Sequence, residues 1–177
     1  MGAAASIFYF GETKMKKNVR QMVRGAVIAG LYVVLTHLQN IMLPGSATMA
    51  IQFRASEALC VLAFFTPAAI PGLAVGCLLF NLTFAASLPL DFLVGTLATV
   101  LATGSMRLLR KVPAIGLLMP ALWNALLVGW ELSVYIGGGF WINALYVAIG
   151  EAAVLLTLGT VLYFALKSRK LHVRLFE

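Results

Sequence analysis

The chain has 177 residues, 62% of them hydrophobic and only 11% charged, and its mean hydropathy is +0.97. A soluble globule carries about 25% charge, so these values exclude one and point to an integral membrane protein with room for a single folded domain. The net charge of +7 does not signal nucleic acid binding, because the bases gather at the ends of apolar segments, where anionic lipid headgroups attract them.

At the N-terminus, Met1-Gly2 with Ser6 formally matches a myristoylation pattern. No basic stretch followed by an apolar one marks a signal peptide. Met15-Lys16-Lys17 reads like a natural start, so residues 1–14 are expected to be a leader, disordered or added upstream, and residues 15–177 the membrane domain. A span needs about 20 apolar residues. Residues 23–43, 90–108, 115–136 and 140–166 meet that need, and residues 51–86 are either one long kinked helix or two. Thr66-Pro67-Ala68-Ala69-Ile70-Pro71-Gly72 favours a turn there.

Charge decides between the two. Twelve of the thirteen Lys and Arg residues fall in clusters at 14–24, 107–111 and 167–174, and Arg54 is the exception. Basic residues in short loops mark the cytoplasmic side. Only two middle helices put all three clusters on that side, so the predicted fold is all-α, with six transmembrane helices and both termini cytoplasmic. Residues 58–66 alone would rise about 14 Å, under half of a ~30 Å hydrocarbon core. The second helix must therefore recruit residues 51–57 or sit low under a re-entrant loop. Either way Gln52, Arg54 and Glu57 lie at membrane depth, which is tolerated in a cavity or buried in protein.

The remaining polar residues gather toward the outer ends of the predicted helices. Asn81 and Asp91 flank the second outer loop, and Glu131, Trp141 and Asn143 flank the third. Asn124 lies two turns below Glu131 on one face, and Glu151 sits near the middle of the sixth helix. Simpler roles compete with a binding role at several of these positions. Arg54 and Glu57, at i and i+3, have the spacing of an ion pair; Asn81, Asn143 and Asp91 have the placement of helix caps; Trp123, Trp130 and Trp141 fit an interfacial belt. Glu131 and Glu151 have no basic partner on their own helices, and charge at bilayer depth usually marks a site. Carboxylates accept paired hydrogen bonds from amidine-like edges and pair with ammonium groups, and indoles stack on flat rings. The set suits a flat, nitrogen-rich, cationic ligand.

In the first helix, Gly25/Ala29 and Ala26/Gly30 form two overlapping small-xxx-small pairs that permit close helix approach, either inside the bundle or to a partner. Cys60 and Cys77 lack metal or redox spacing and read as packed thiols. No phosphate-binding GxxxxGK[ST] loop, HExxH or GxSxG is present. No ATP site, catalytic set, metal or cofactor is therefore expected in this chain.

Ile51-Gln52-Phe53-Arg54 leading into Ser56-Glu57-Ala58-Leu59, then Ala69-Ile70-Pro71-Gly72-Leu73 and Gly76-Cys77-Leu78 with Asn81, resemble the QueT family. So do residues 91–97, Asn124-Ala125-Leu126 with Gly129 and Glu131, and Gly150-Glu151. The resemblance runs over roughly residues 15–166. It implies a substrate-binding S component of an energy-coupling factor (ECF) transporter in a prokaryotic plasma membrane. Such a component captures a queuosine precursor, 7-aminomethyl-7-deazaguanine or queuine, and works with a transmembrane coupling protein and two ATPases. It also implies that Ala26 and Gly30 lie where such proteins dock. An S component for another vitamin, a small membrane-embedded enzyme and a purely structural membrane subunit are the alternatives.

Overall fold

The computed structural model describes residues 2–44, 46, 53–84 and 87–168, with side chains from residue 15 onward except that of residue 16. Helix α1 runs Gly2–Met42, followed by a 3-10 helix, Ala55–Phe64. Then come α2 (Ala69–Thr83), α3 (Asp91–Leu108), the single turn α4 (Pro113–Gly116) and α5 (Met119–Tyr135). The chain closes with α6 (Phe140–Val154), a π-helical stretch Leu155–Gly159, and α7 (Thr160–Ser168). The described part is all helical and forms six legs, α4 with α5 making the fifth and α6 through α7 the sixth.

The two-helix reading of the middle segment is correct, with a tighter turn than expected. The chain reverses over Phe65–Ala68, and Pro71 falls inside the first turn of α2, where its fixed φ and missing N–H are harmless. The second leg does recruit upstream residues, starting at Ala55, and it does so as a 3-10 helix. At about 2.0 Å per residue, its ten residues rise about 20 Å, further than an α-helix of that length.

Polarity is arranged inside out. Along α1 the buried stripe is Gly25, Ile28, Ala29, Tyr32, Thr36 and Asn40, while Val23, Val27, Leu31, Val34, Leu38 and Ile41 are exposed. Helix α3 buries Asp91, Gly95, Ala98, Thr99, Ala102 and Thr103 and exposes Phe92, Leu93, Leu97 and Val100. Lipid tails are as apolar as leucine, so burying aliphatic side chains gains little there; small residues that allow close packing take the interior instead. Lys17–Met42, Pro113–Tyr135 and Phe140–Ser168 are each long and apolar enough to cross a membrane by length and composition, whereas the 3-10 helix and α2 are apolar but shorter.

Helices α1, α2, α3, α5 and α6 pack in that order, each against the next, and the 3-10 helix lies against α1, α2, α3, α6, the π stretch and α7. It is the centre of the bundle: every residue from Ser56 to Phe64 except Leu59 is buried. This placement explains how irregular backbone is accommodated at membrane depth, because protein rather than lipid surrounds it. The wide π turn faces it, with Gly159 positioned so that an added Cβ would stand 3.5 Å from Val61 Cγ2.

The described residues of the basic clusters share one end. Arg107 donates to the carbonyls of Ala63 and Phe64 at 3.4 and 3.1 Å, and Gln21 and Met22 border the same recess as Pro67 and Ala68. The positive-inside rule assigns that end to the cytoplasm. The starts of the 3-10 helix, α3 and α6 lie at the other end, as do the last turns of α2 and α5.

Candidate functional site

Five ionisable side chains are buried together in the outer half of the bundle: Arg54 at 4% exposure, Glu57 at 1%, Asp91 at 5%, Glu131 at 0% and Glu151 at 1%. Each arrives on a different element. Arg54 stands at the N-cap of the 3-10 helix and Glu57 in its first turn; Asp91 opens α3; Glu131 is one turn from the end of α5; Glu151 is in α6. The guanidinium of Arg54 lies 5.9 Å from the Phe80 ring centroid and interacts electrostatically with Glu57, Asp91, Glu131 and Glu151. Among the described residues four buried carboxylates thus share one half of the bundle with a single buried guanidinium.

Their satisfaction is uneven. Glu57 is well held: Tyr32 Oη donates to Oε1 at 2.8 Å, and Cys60 Sγ donates to Oε2 at 3.2 Å. Asp91 Oδ2 accepts the Leu88 N–H at 2.7 Å, a backward-reaching bond of the capping-box kind. Asn81 Nδ2 donates to the Asp91 carbonyl at 2.8 Å, tying α2 to α3 and leaving its own Oδ1 without a partner. Among the described residues neither carboxylate oxygen of Glu131 receives a donor, nor does Glu151 Oε2, and the Glu131 carboxyl lies beside that of Asp91. Asn124, buried, lies beside Glu151. On α1, Asn40 donates Nδ2 to the Thr36 carbonyl at 3.0 Å, and its Oδ1 is unpartnered as well.

Other expected residues lie apart from this cluster. Asn143 donates to the Gly137 carbonyl at 3.0 Å and so fixes the third outer loop. Trp130 and Trp141 are 48% and 78% exposed on the outer surface of the bundle, and the structure does not bring them to the carboxylates. Gln52 lies outside the described residues. Gly25 and Ala29 face inward against α2, where a Cβ on Gly72 would stand 2.6 Å from Gly25 O and one on Gly76 3.0 Å from Ala29 O. Ala26 and Gly30 point outward, and Gly30 has nothing within 4 Å of its Cβ position. Gly25/Ala29 therefore packs inside the bundle, and Ala26/Gly30 is left exposed. A recess of about 530 Å³ runs along this small-residue face, walled by Met22, Ala26, Pro71 and Val75.

A layer of α1 residues supports the site. Thr36 Oγ1 lies 2.7 Å from both the Tyr32 carbonyl and Ser56 Oγ. Gln39 Nε2 donates to Ser46 Oγ at 2.8 Å and to the Phe53 carbonyl, and its Oε1 accepts the Ala55 N–H at 2.6 Å. Sequence reasoning missed Tyr32, Thr36, Gln39 and Asn40. Their signal is periodicity: Tyr32, Thr36 and Asn40 continue the Gly25/Ala29 stripe at helical spacings of three and four residues.

A family model described as QueT transporter matches residues 22–168, most of the chain and all of the bundle from the inner part of α1 to the end of α7. The chain belongs to the QueT transporter family. No curated protein and no solved structure matches it. As a QueT protein it is a membrane transporter S component and not an enzyme.

Proposed function

We propose that this QueT protein captures a queuosine precursor from outside a prokaryotic cell, as a multi-pass S component of an ECF importer. One observation carries the reading: among the described residues, the buried carboxylate and amide atoms of the outer site that lack partners are all hydrogen-bond acceptors. They are Glu131 Oε1 and Oε2, Glu151 Oε2, Asn81 Oδ1 and Asn40 Oδ1. Buried acceptors without donors are costly, and several buried carboxylates with one buried guanidinium need compensating positive charge. A ligand that fits must bring donors and a cation. A 7-deazaguanine bearing an aminomethyl group has both, with a flat ring, a guanidine-like N–H edge and an ammonium. Glu131, with two open oxygens, is the acceptor suited to the base edge, and Glu151 is suited to the amine. Arg54, Glu57 and Asp91 form the rim, and Asn81 and Asn124 complete it, while Asn143 holds the third outer loop. Trp130 and Trp141 stand outside it.

Ala26 and Gly30 form the docking face for the transmembrane coupling protein, which carries the two ATPases. Gly25 and Ala29 let α1 approach α2 closely, which sets the two walls of the recess along that face. This chain has no nucleotide-binding loop of its own, so the energy for import comes from those partners.

The test is a thermal-shift screen of the purified protein in detergent, comparing 7-aminomethyl-7-deazaguanine, queuine and a panel of vitamins. A deazaguanine should stabilise the protein and the vitamins should not. Glu131→Gln should weaken deazaguanine affinity at least tenfold, about 1.4 kcal/mol, while the unliganded protein melts no lower. Unchanged affinity in both Glu131→Gln and Glu151→Gln would sink the assignment of the site, and stabilisation by another vitamin alone would sink the substrate.

A further inference from the structure

The cytoplasmic end carries a second recess, far from the carboxylates. It holds about 300 Å³ and is walled by Phe64, Pro113, Leu117, Leu156, Tyr163 and Phe164. It opens toward the lipid: Phe164 and Leu156 are 60% and 57% exposed. Basic residues adjoin two of the elements that wall it. At one, Arg110 and Lys111, both exposed, closely precede the wall residue Pro113. At the other, Lys167 Nζ lies 3.5 Å from the hydroxyl of the wall residue Tyr163 and 5.5 Å from its ring centroid. Arg107, between them in the fold, is engaged with the Ala63 and Phe64 carbonyls. No Asp or Glu occurs in residues 58–68, 92–130 or 152–168, so no acid on the segments that form the recess offsets these charges.

We propose that this recess binds an anionic phospholipid of the inner leaflet, one acyl chain lying in the apolar cleft and the phosphate held between Arg110, Lys111 and Lys167. An apolar cleft at the lipid boundary takes up hydrocarbon, and basic pockets between transmembrane helices on the cytoplasmic side select anionic headgroups. Phosphate oxygens accept charge-assisted bonds from arginine and lysine. The occupant follows from this pairing: the cleft alone would accept any lipid, and the cations alone would accept any anion. Three elements meet at the recess, the end of the 3-10 helix, α4 and the π–α7 stretch, so a bound lipid would brace the inner end of the bundle whatever ligand the outer site takes.

Native mass spectrometry and thermal shift of the full chain test this, with phosphatidylglycerol and phosphatidylcholine of identical acyl chains added to delipidated protein. Phosphatidylglycerol should stay bound and raise the melting temperature, and phosphatidylcholine should do neither. The double variant Lys111→Gln/Lys167→Gln changes only exposed side chains and should lower phosphatidylglycerol retention at least tenfold. Ala114→Trp, which fills the cleft from its wall, should do the same with the charges intact. Equal retention of the two lipids would overturn the proposal. So would full retention by the double variant, or protection by glycerol phosphate alone that Ala114→Trp leaves unaltered. A change in oligomeric state on Ala114→Trp, without loss of lipid, would assign the recess to a second copy instead.

Discussion

Glu57 and Glu131 are both buried carboxylates on the wall of one site, yet their surroundings differ. Glu57 takes a phenol and a thiol as donors, whereas Glu131 takes none among the described residues. In the proposed site that difference separates support from recognition. Removing the Tyr32 hydroxyl leaves a buried carboxylate oxygen without its donor, which costs about 1–3 kcal/mol. Tyr32→Phe should therefore lower the melting temperature of the unliganded protein measurably, in contrast to Glu131→Gln, which should lower affinity and not stability. A Tyr32→Phe protein that melts with the wild type would show that Glu57 does not depend on this bond. The sequence disclosed the carboxylates, because charge in an apolar run is conspicuous. It did not disclose Tyr32, since a tyrosine in a membrane helix is unremarkable until the fold points its hydroxyl at Glu57.

Among the helices, the contact between α1 and α2 is made by backbone. A Cβ added to Gly72 would fall 2.6 Å from the Gly25 carbonyl oxygen, and a backbone atom cannot step aside as a side-chain tip can. Overpacking of this kind typically costs about 1–3 kcal/mol, so Gly72→Ala should destabilise the protein by that order in a detergent melt. Gly30, one turn beyond Gly25/Ala26 on the outer side of α1, meets nothing. Gly30→Leu should leave melting and deazaguanine binding unchanged and abolish co-purification with the coupling protein and its ATPases. Retained co-purification would remove Gly30 from the docking face. The small-xxx-small spacing was legible in the sequence, but a helical repeat has no marker for which of two adjacent stripes faces inward. Only the position of α2 separates Gly25/Ala29 from Ala26/Gly30.

Across the whole molecule, the described basic residues at one end and a carboxylate cluster in the other half define a direction. Orientation is testable with single cysteines, because Cys60 and Cys77 are fully buried and should not react. A membrane-impermeant maleimide should label Gly139→Cys in intact cells and Lys111→Cys only after permeabilisation; the opposite pattern would invert the topology. The number of legs and the identity of the stranded acids were legible in the sequence, because lipid imposes one rule on every exposed residue and violations of it show in one dimension. The family stretch around Arg54 and Glu57 was visible in the same way. The 3-10 form of the second leg, its place at the centre, the support from Tyr32 and Gln39, and the outward placement of Trp130 and Trp141 were decided only by the tertiary structure. Each depends on which helices become neighbours, and in a bundle whose interior and surroundings are both apolar, hydropathy does not encode that choice; close backbone approach and paired polar groups do.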